Sequence, residues 1–446
     1  MKYIPQSNED RRELLNAVGA KHIDELFQHI PSELRVQSNL NYPLAQSEQD
    51  LRKTFQEIGA LSPSPKRSFA GCGIYQHEIP SVVPFLQGRS EFSTAYTPFQ
   101  PEISQGLLQC IYEFQTLACQ LTEMELSNAS LYDGATSLGE AILMALRIKK
   151  RSKGKILISQ AIQPFYLQVV QTYCKNFQDR IQFIPLSGDH LDISQLKQVL
   201  NDQVDILVTQ SPNVFGVIEN YPEIASLIKE SKVLWLTSTM EPLSFGLTKG
   251  PGAYGAHIVT AEGQSFGNSA YLGGSTYGIF CTKDEFIRNL PGRLVGQTLD
   301  QRGRRSYTLT FATREQFIRR GRATSNICTN NNLNMLAGLI HMSVLGKRGI
   351  RELAEQNFSK TEFLKDELRK SDFQVSDSPT FNEFVLETKQ PASHFLNASS
   401  KESWVCGVDL GRFKEEWKHK LLIHVSELHS KEELLQLTQF LRAQSK

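Results

Sequence analysis

The sequence predicts an α/β protein with a mostly parallel sheet, and three observations carry that prediction. Short runs rich in Ile, Leu and Val recur at 155–159, 181–185, 206–209 and 233–237, a composition suited to strands buried on both faces. Between them, 165–177, 193–200 and 222–229 carry apolar residues at helical spacing, so strands and helices alternate as right-handed crossovers require. A length of 446 residues exceeds one ordinary domain, which leaves room for a large core and smaller appendages.

Taken in order, the chain divides into three expected parts. Residues 1–64 read as a helical arm: Leu14, Leu15, Val18, Ile23, Leu26, Phe27 and Ile30 recur at helical spacing before Pro31, and a Ser/Pro cluster at 61–65 reads as a linker. Residues 65–325 hold the α/β domain. Within it, Pro101 and Glu102 open a helix whose Ile103, Leu107, Leu108, Ile111, Phe114, Leu117, Ala118 and Leu121 share one side. A further helix is expected over 137–147. Residues 326–446 read as a smaller α+β domain, with helices to about Leu368, short strands near Gln374 and Leu421, and a final amphipathic helix over 431–443.

Charge and composition narrow the function. The formal charge is +1, from 48 basic and 47 acidic residues, so no long-range field draws in nucleic acid or an anionic membrane. The first twelve residues are polar and no apolar run is long enough to span a bilayer, which leads to the expectation of a cytoplasmic protein. Seven cysteines, an odd number without C-x-x-C spacing, suit buried thiols better than a disulfide framework or a zinc site.

Four segments could carry chemistry. Thr94-Ala-Tyr-Thr-Pro-Phe-Gln-Pro-Glu leads into a helix, offering hydroxyls and free amides, or simply a capped entry. Leu131-Tyr-Asp-Gly-Ala-Thr-Ser-Leu-Gly-Glu feeds a glycine turn into a helix, with capping-box spacing from Ser137 to Glu140; such a start is either a phosphate cradle or an ordinary cap. The loop 262–278 is dense in glycine yet has no amine, thiol or imidazole after Glu262. Finally, Arg302, Arg304, Arg305, Arg314, Arg319, Arg320 and Arg322 cluster before Ala323-Thr-Ser-Asn-Ile-Cys-Thr-Asn330, forming either an anion-recognition surface or a solvated basic face.

Together these segments resemble the glycine cleavage system P-protein, in the form split into two chains, and within it subunit 1. The resemblance extends over Tyr3-Ile-Pro5, 69–77, Arg89-Ser-Glu-Phe-Ser-Thr-Ala-Tyr-Thr-Pro98, 131–141, Pro212-Asn-Val-Phe-Gly-Val-Ile218, Leu290-Pro-Gly-Arg-Leu-Val-Gly296 and 323–330. It implies a fold-type I pyridoxal-phosphate transferase-like large domain with a smaller C-terminal domain. It also implies an enzyme that decarboxylates glycine and passes the aminomethyl group to the lipoyl arm of the H-protein. Chemistry with this cofactor needs a lysine amine to hold it as an imine.

The catalytic chains of the family place that lysine in His-Lys-Thr-Phe, and the pattern falls here on Gly263-Gln264-Ser265-Phe266. Gln264 therefore stands at the lysine's position, and an amide cannot form the imine. By this resemblance no residue of the chain is the catalytic amine, and pyridoxal phosphate is held covalently by a partner, subunit 2, with two copies of each chain. Thr94, Tyr96, Thr97, Asn326 and Thr329 are then expected to line an interface active site. Arg314 and Arg319 are expected to steer substrate or H-protein, while Asp133, Gly134, Ala135, Thr136, Ser137 and Gln264 form a vestigial cofactor loop. The chain departs from the family at Gly321-Arg322, at 268–275 and at Gln163. Two alternatives stand beside this reading: a self-sufficient enzyme using Lys249 or Lys283, and a non-catalytic regulatory or binding protein that kept the fold.

Overall fold

The computed structural model describes residues 6–36, 42–62, 65–93, 97–150, 153–270, 275–371 and 373–445. They fall into two compact units, Met1–Ser64 and Pro65–Lys446. The first is helical. Its segments Asn8–Ala17 and Glu48–Ala60 start at Ser7 and Ser47, whose hydroxyls accept the amides of Asp10 and Asp50 at 3.1 Å. Ala20 is the one buried residue among those described in this unit, so caps and intrinsic propensity hold its helices.

The second unit is built on a seven-stranded sheet made of β1 (Leu126–Ser127), β2 (Lys155–Ser159), β3 (Ile181–Ile184), β4 (Val204–Gln210), β5 (Leu234–Thr239), β6 (Ile258–Glu262) and β7 (Gly278–Thr282), in the spatial order β1-β7-β6-β5-β4-β2-β3. β3, β2, β4, β5 and β6 run parallel, while β7 is antiparallel to β6 and to β1. The side-chain period of two sorts each strand onto two cores. Leu157, Leu207, Trp235 and Val259 face one core; Ile156, Ile158, Ile206, Val208, Leu236 and Ile258 face the other. Each fully buried Leu or Ile contributes about 1.5–3 kcal/mol.

Helix α1 (Gln105–Thr122) covers the first core, and α2 (Gly134–Lys149) with α3 (Pro164–Tyr173) covers the second. Two helix starts differ from the sequence reading. α1 opens at Gln105 instead of Pro101, because Ser104 is non-helical (φ −122°, ψ 21°) and the Gln105 side-chain Nε2 donates to the Pro101 carbonyl at 2.6 Å, tying 101–103 into a separate turn. Ile103 is consequently 80% exposed and off the apolar face. α2 opens three residues before Ser137, because Asp133 is its cap and pairs in a capping box with Thr136, not Ser137 with Glu140. A hairpin of β8 (Leu294–Leu299) and β9 (Arg305–Thr310) carries the first of the clustered arginines.

A long helix, α4 (Asn332–Arg369), joins the cores. Met335, Leu336 and Leu339 pack into the first core, whereas Leu364 and Leu368 pack under a four-stranded antiparallel sheet. Gly346 breaks the helix between them (φ 60°, ψ −177°). The small sheet comprises β10 (Gln374–Val375), β11 (Glu383–Glu387), β12 (Val408–Asp409) and β13 (Lys420–His424), in the order β10-β11-β13-β12. Its core includes Leu434, Leu437 and Leu441 of α5 (Lys431–Gln444). This is the expected layout of a mostly parallel α/β layer with a smaller α+β layer.

The turn after β4 fixes the two sheets together. Asn213 accepts the amides of Phe215 (2.9 Å) and Val217 (3.2 Å) on its side-chain oxygen, and Gly216 takes φ +76° against the β11 backbone. A Cβ at Gly216 would fall on the Glu383 carbonyl. Gly216→Ala therefore suffers both an unfavourable φ and a backbone clash, and is expected to destabilise the protein by about 2–4 kcal/mol. A fall of several degrees in the thermal midpoint would register this, and an unchanged midpoint would contradict it.

Candidate active site

In open α/β sheets the carboxyl ends of the parallel strands form the natural ligand crevice. Here β4, β5 and β6 end side by side, followed by Ser211, Glu241 and Gln264. At this edge Gln264 is only 3% exposed and its side-chain amide is fully engaged. Its oxygen accepts the Tyr75 amide at 2.9 Å, and its nitrogen donates to the carbonyls of Tyr75 at 3.0 Å and Asn268 at 2.7 Å. The side chain thus pairs with the backbone of Tyr75 as a neighbouring strand would.

Two residues earlier, Glu262 closes the start of α2. Its carboxylate accepts the Gly134 amide at 3.0 Å, the Gln264 amide at 3.1 Å and the Thr276 hydroxyl. Burial pushes this carboxyl up to about 7, against the hydrogen bonds from Thr276 and Gly134 that favour its charged form. The rest of the helix entry is also satisfied from within. Asp133 accepts the Thr136 amide at 2.6 Å, and its carbonyl takes the Ser137 hydroxyl at 2.6 Å. Asp133, Gly134, Thr136 and Ser137 are thereby brought together with Gln264 through Glu262, and Ala135 lies half-buried in the same turn.

Beside this cluster lies a buried charge network that the sequence left invisible. His77 (side chain 2% exposed) places Nε2 at 3.1 Å from Glu241 and Nδ1 at 3.0 Å from Glu427. Glu241 also takes the Ser265 hydroxyl at 3.0 Å, and Glu427 takes the Glu78 amide at 2.7 Å and the Asn357 amide at 2.8 Å. Burial alone would lower the imidazole, but the facing Glu241 and Glu427 carboxylates hold it up to about 10. Burial would raise Glu427; its bonds to His77, Glu78 and Asn357 bring it down to about 2 instead. Alongside, Glu383 takes the Cys72 amide (2.6 Å) and the Tyr75 hydroxyl (3.1 Å), with burial pushing it up to about 8. His77 and Glu262 were visible in the sequence motifs, whereas Glu241, Glu383 and Glu427 sit in unremarkable stretches and meet only through the fold.

The other expected site residues are placed as follows. Thr94 and Tyr96 lie outside the described residues. Thr97 is half-buried with its hydroxyl enclosed and without a hydrogen-bond partner among the described residues. Thr329 takes a bond from Arg293 at 3.0 Å, and its amide, with that of Cys328, points to the Tyr132 hydroxyl. Asn326 is exposed on the same strap. The half-buried Arg314 donates to the Leu290 carbonyl, and Arg319 is exposed, donating to the Thr313 carbonyl at 3.1 Å. Of the alternative lysines, Lys249 lines a cavity of about 620 Å³ with Ser211, Glu219, Tyr221 and Tyr254. Lys283 follows β7, whose last residue pairs with the first of β6, so it lies at the opposite edge of the sheet.

A pyridoxal phosphate bound in this chain's own crevice would need an amine at the sheet edge and an open anion cradle at the helix start. The residues present do not fit that group: position 264 offers an amide committed to backbone, and a carboxylate stands on the Gly134 amide. Their arrangement holds charge and rigidity at the crevice.

The charge network sets a pH dependence. The raised His77 stabilises the fold fully below its unfolded value near 6.5, and this stability is lost as pH climbs through about 10. The depressed Glu427 stabilises above about 4.5, and this is lost as pH falls through about 2. His77→Gln is thus expected to lower the thermal midpoint far more near pH 6 than near pH 10, because at pH 10 about half of the wild-type rings are already neutral and most of the charge-linked stability is gone. Equal losses at both pH values would contradict a charged His77.

Known proteins resemble this chain over nearly its whole length. The family model described as glycine cleavage system P-protein matches residues 1–441. A probable glycine dehydrogenase (decarboxylating) subunit 1 from Geobacillus kaustophilus is 43% identical over 436 residues, covering 97% of both chains. The protein of the same name from Staphylococcus epidermidis is 42% identical over 437 residues, again covering 97% of both. Among solved structures, a glycine decarboxylase (P-protein) of the glycine cleavage system, in inhibitor-bound form, superposes with a TM-score of 0.91 at 36% identity, covering 100% of both chains. A sphingosine-1-phosphate lyase from Burkholderia pseudomallei shares the fold alone, with a TM-score of 0.67 at 13% identity over 93% of this chain and 94% of that one. The architecture is that of the fold-type I pyridoxal-phosphate enzymes, and the chain belongs to the glycine cleavage system P-protein family.

Proposed function

We propose that this chain is the lysine-less half of a two-chain glycine decarboxylase, paired with a subunit 2 in a complex holding two copies of each, and that it works in the cytoplasm. The enzyme is a glycine dehydrogenase (decarboxylating) of a family that uses pyridoxal phosphate. In this reading the cofactor is bound covalently by the partner, where it supplies the electron sink for loss of CO2 from glycine. The present chain covers and shapes that site and the path of the H-protein's lipoyl arm, which receives the aminomethyl group. Thr94, Tyr96, Thr97, Asn326 and Thr329 are the lining positions, and Arg314 and Arg319 the steering ones. The observation carrying the proposal is the Gln264 side-chain amide, held by three backbone contacts, at the position that the resemblance assigns to the lysine.

Two measurements test it. The purified chain alone should be inert in glycine–bicarbonate exchange and become active when co-purified with subunit 2; CO2 release from glycine by the isolated chain would end the proposal. In the reconstituted pair, reversing the charge of the exposed Arg319 (Arg319→Glu) should raise the KM for H-protein severalfold while leaving glycine affinity unchanged. Identical H-protein kinetics would remove Arg319 from the steering role.

A further inference from the structure

The start of α2 is a sixteen-residue helix terminus whose first amides and macrodipole favour an anion. Above its raised value of about 7 the Glu262 carboxyl is already an anion there, and it belongs to the chain. Glu262 is 6% exposed and bridges two stretches of backbone: one oxygen takes the Gly134 amide at 3.0 Å, while the other takes the Gln264 amide at 3.1 Å and the Thr276 hydroxyl. The surroundings are closed as well as occupied. A Cβ at Gly134 would run into the Tyr166 hydroxyl and the Glu262 backbone. Tyr166 is itself buried, with a hydroxyl lacking a hydrogen-bond partner among the described residues.

We propose that the Glu262 carboxylate is a built-in anion that fills the phosphate position at the start of α2, so that phosphate esters, pyridoxal phosphate among them, are excluded here whatever residue stands at 264. The chain is then barred from the cofactor twice, once by the missing amine and once by an internal competitor. The competitor acts by occupancy and by charge: an incoming phosphate would have to displace a carboxylate tethered to β6 and leave it buried beside the new anion. An internal group also has no translational entropy to lose, an advantage that a free phosphate at moderate concentration does not overcome.

Two experiments on the full chain decide it, and neither depends on pairing with subunit 2, so failure here and failure of the proposed function are distinguishable. In the first, inorganic phosphate is titrated and followed by phosphorus-31 line broadening. Millimolar phosphate should leave the wild-type protein without a saturable site, and Glu262→Ala should gain one, tightening binding by about tenfold or more. A saturable wild-type site that perturbs the Gly134 amide resonance, or a folded Glu262→Ala protein that binds no better than wild type, overturns the proposal.

The second needs no Glu262 variant. Gln264→Lys restores an amine able to condense with the aldehyde of pyridoxal phosphate, with loss of one water, and borohydride would reduce the resulting C=N to a secondary amine. The expected result is no phosphopyridoxyl mass added at residue 264 after borohydride. Stoichiometric labelling of this single variant at that position would show the cradle open, and the proposal would fall.

Discussion

The pairing of the Gln264 amide with the backbone of Tyr75 is the contact on which the crevice depends. It joins segments 189 residues apart and gives Tyr75 an acceptor and a donor that no strand supplies. Each such bond adds on the order of 1 kcal/mol net, but leaving these buried backbone groups unpaired would cost about 1–3 kcal/mol apiece. A flexible ammonium could donate to a carbonyl but could not accept from the Tyr75 amide. Glutamine therefore does here what lysine could not.

Once Tyr75 is fixed, the groups following it in the chain are aimed. Tyr75 sends its hydroxyl to Glu383 on the small sheet, and two residues on, His77 stands between Glu241 of the large sheet's edge and Glu427 beyond β13. A buried cation between two carboxylates is costly to desolvate, and in general such groups add less stability than hydrophobic replacements would. What they provide is geometry: each lost partner leaves an uncompensated charge, so the two sheets are held in one register. The Asn213 turn and Gly216 serve the same end from the other side, bringing backbone against backbone without a side chain between.

Much of the fold was legible in the sequence because it rests on local periodicity. The four strands read from apolar runs are present within a residue or two, with intervening helices where the spacing put them. What escaped were features set by distant partners. α1 starts late because Gln105 reaches back to Pro101 and across to Tyr307, and the β8–β9 hairpin is hidden in an arginine-rich stretch without strong alternation. At the site, the glycine-rich helix entry and Gln264 were visible as motifs. That Glu262 would turn toward Gly134, or that Glu241, Glu383 and Glu427 would gather around His77 and Tyr75, was not, since acidic residues scattered over almost two hundred positions carry no mark of common destination.

A fold of this class does not need its cofactor to stand, because function resides in sites laid upon folds. The crevice of this chain illustrates how such a site is closed by substitution instead of collapse. A pocket emptied of its ligand would expose amides and leave a cavity, each with a cost in unpaired donors and lost contacts. Here the Glu262 carboxylate meets the helix start, the Gln264 side-chain amide is committed to backbone, and His77 with its two carboxylates stiffens the wall. The same groups thus maintain the surface of the sheet edge, and under the proposed pairing a rigid edge is what the partner would need in order to close its own site against water.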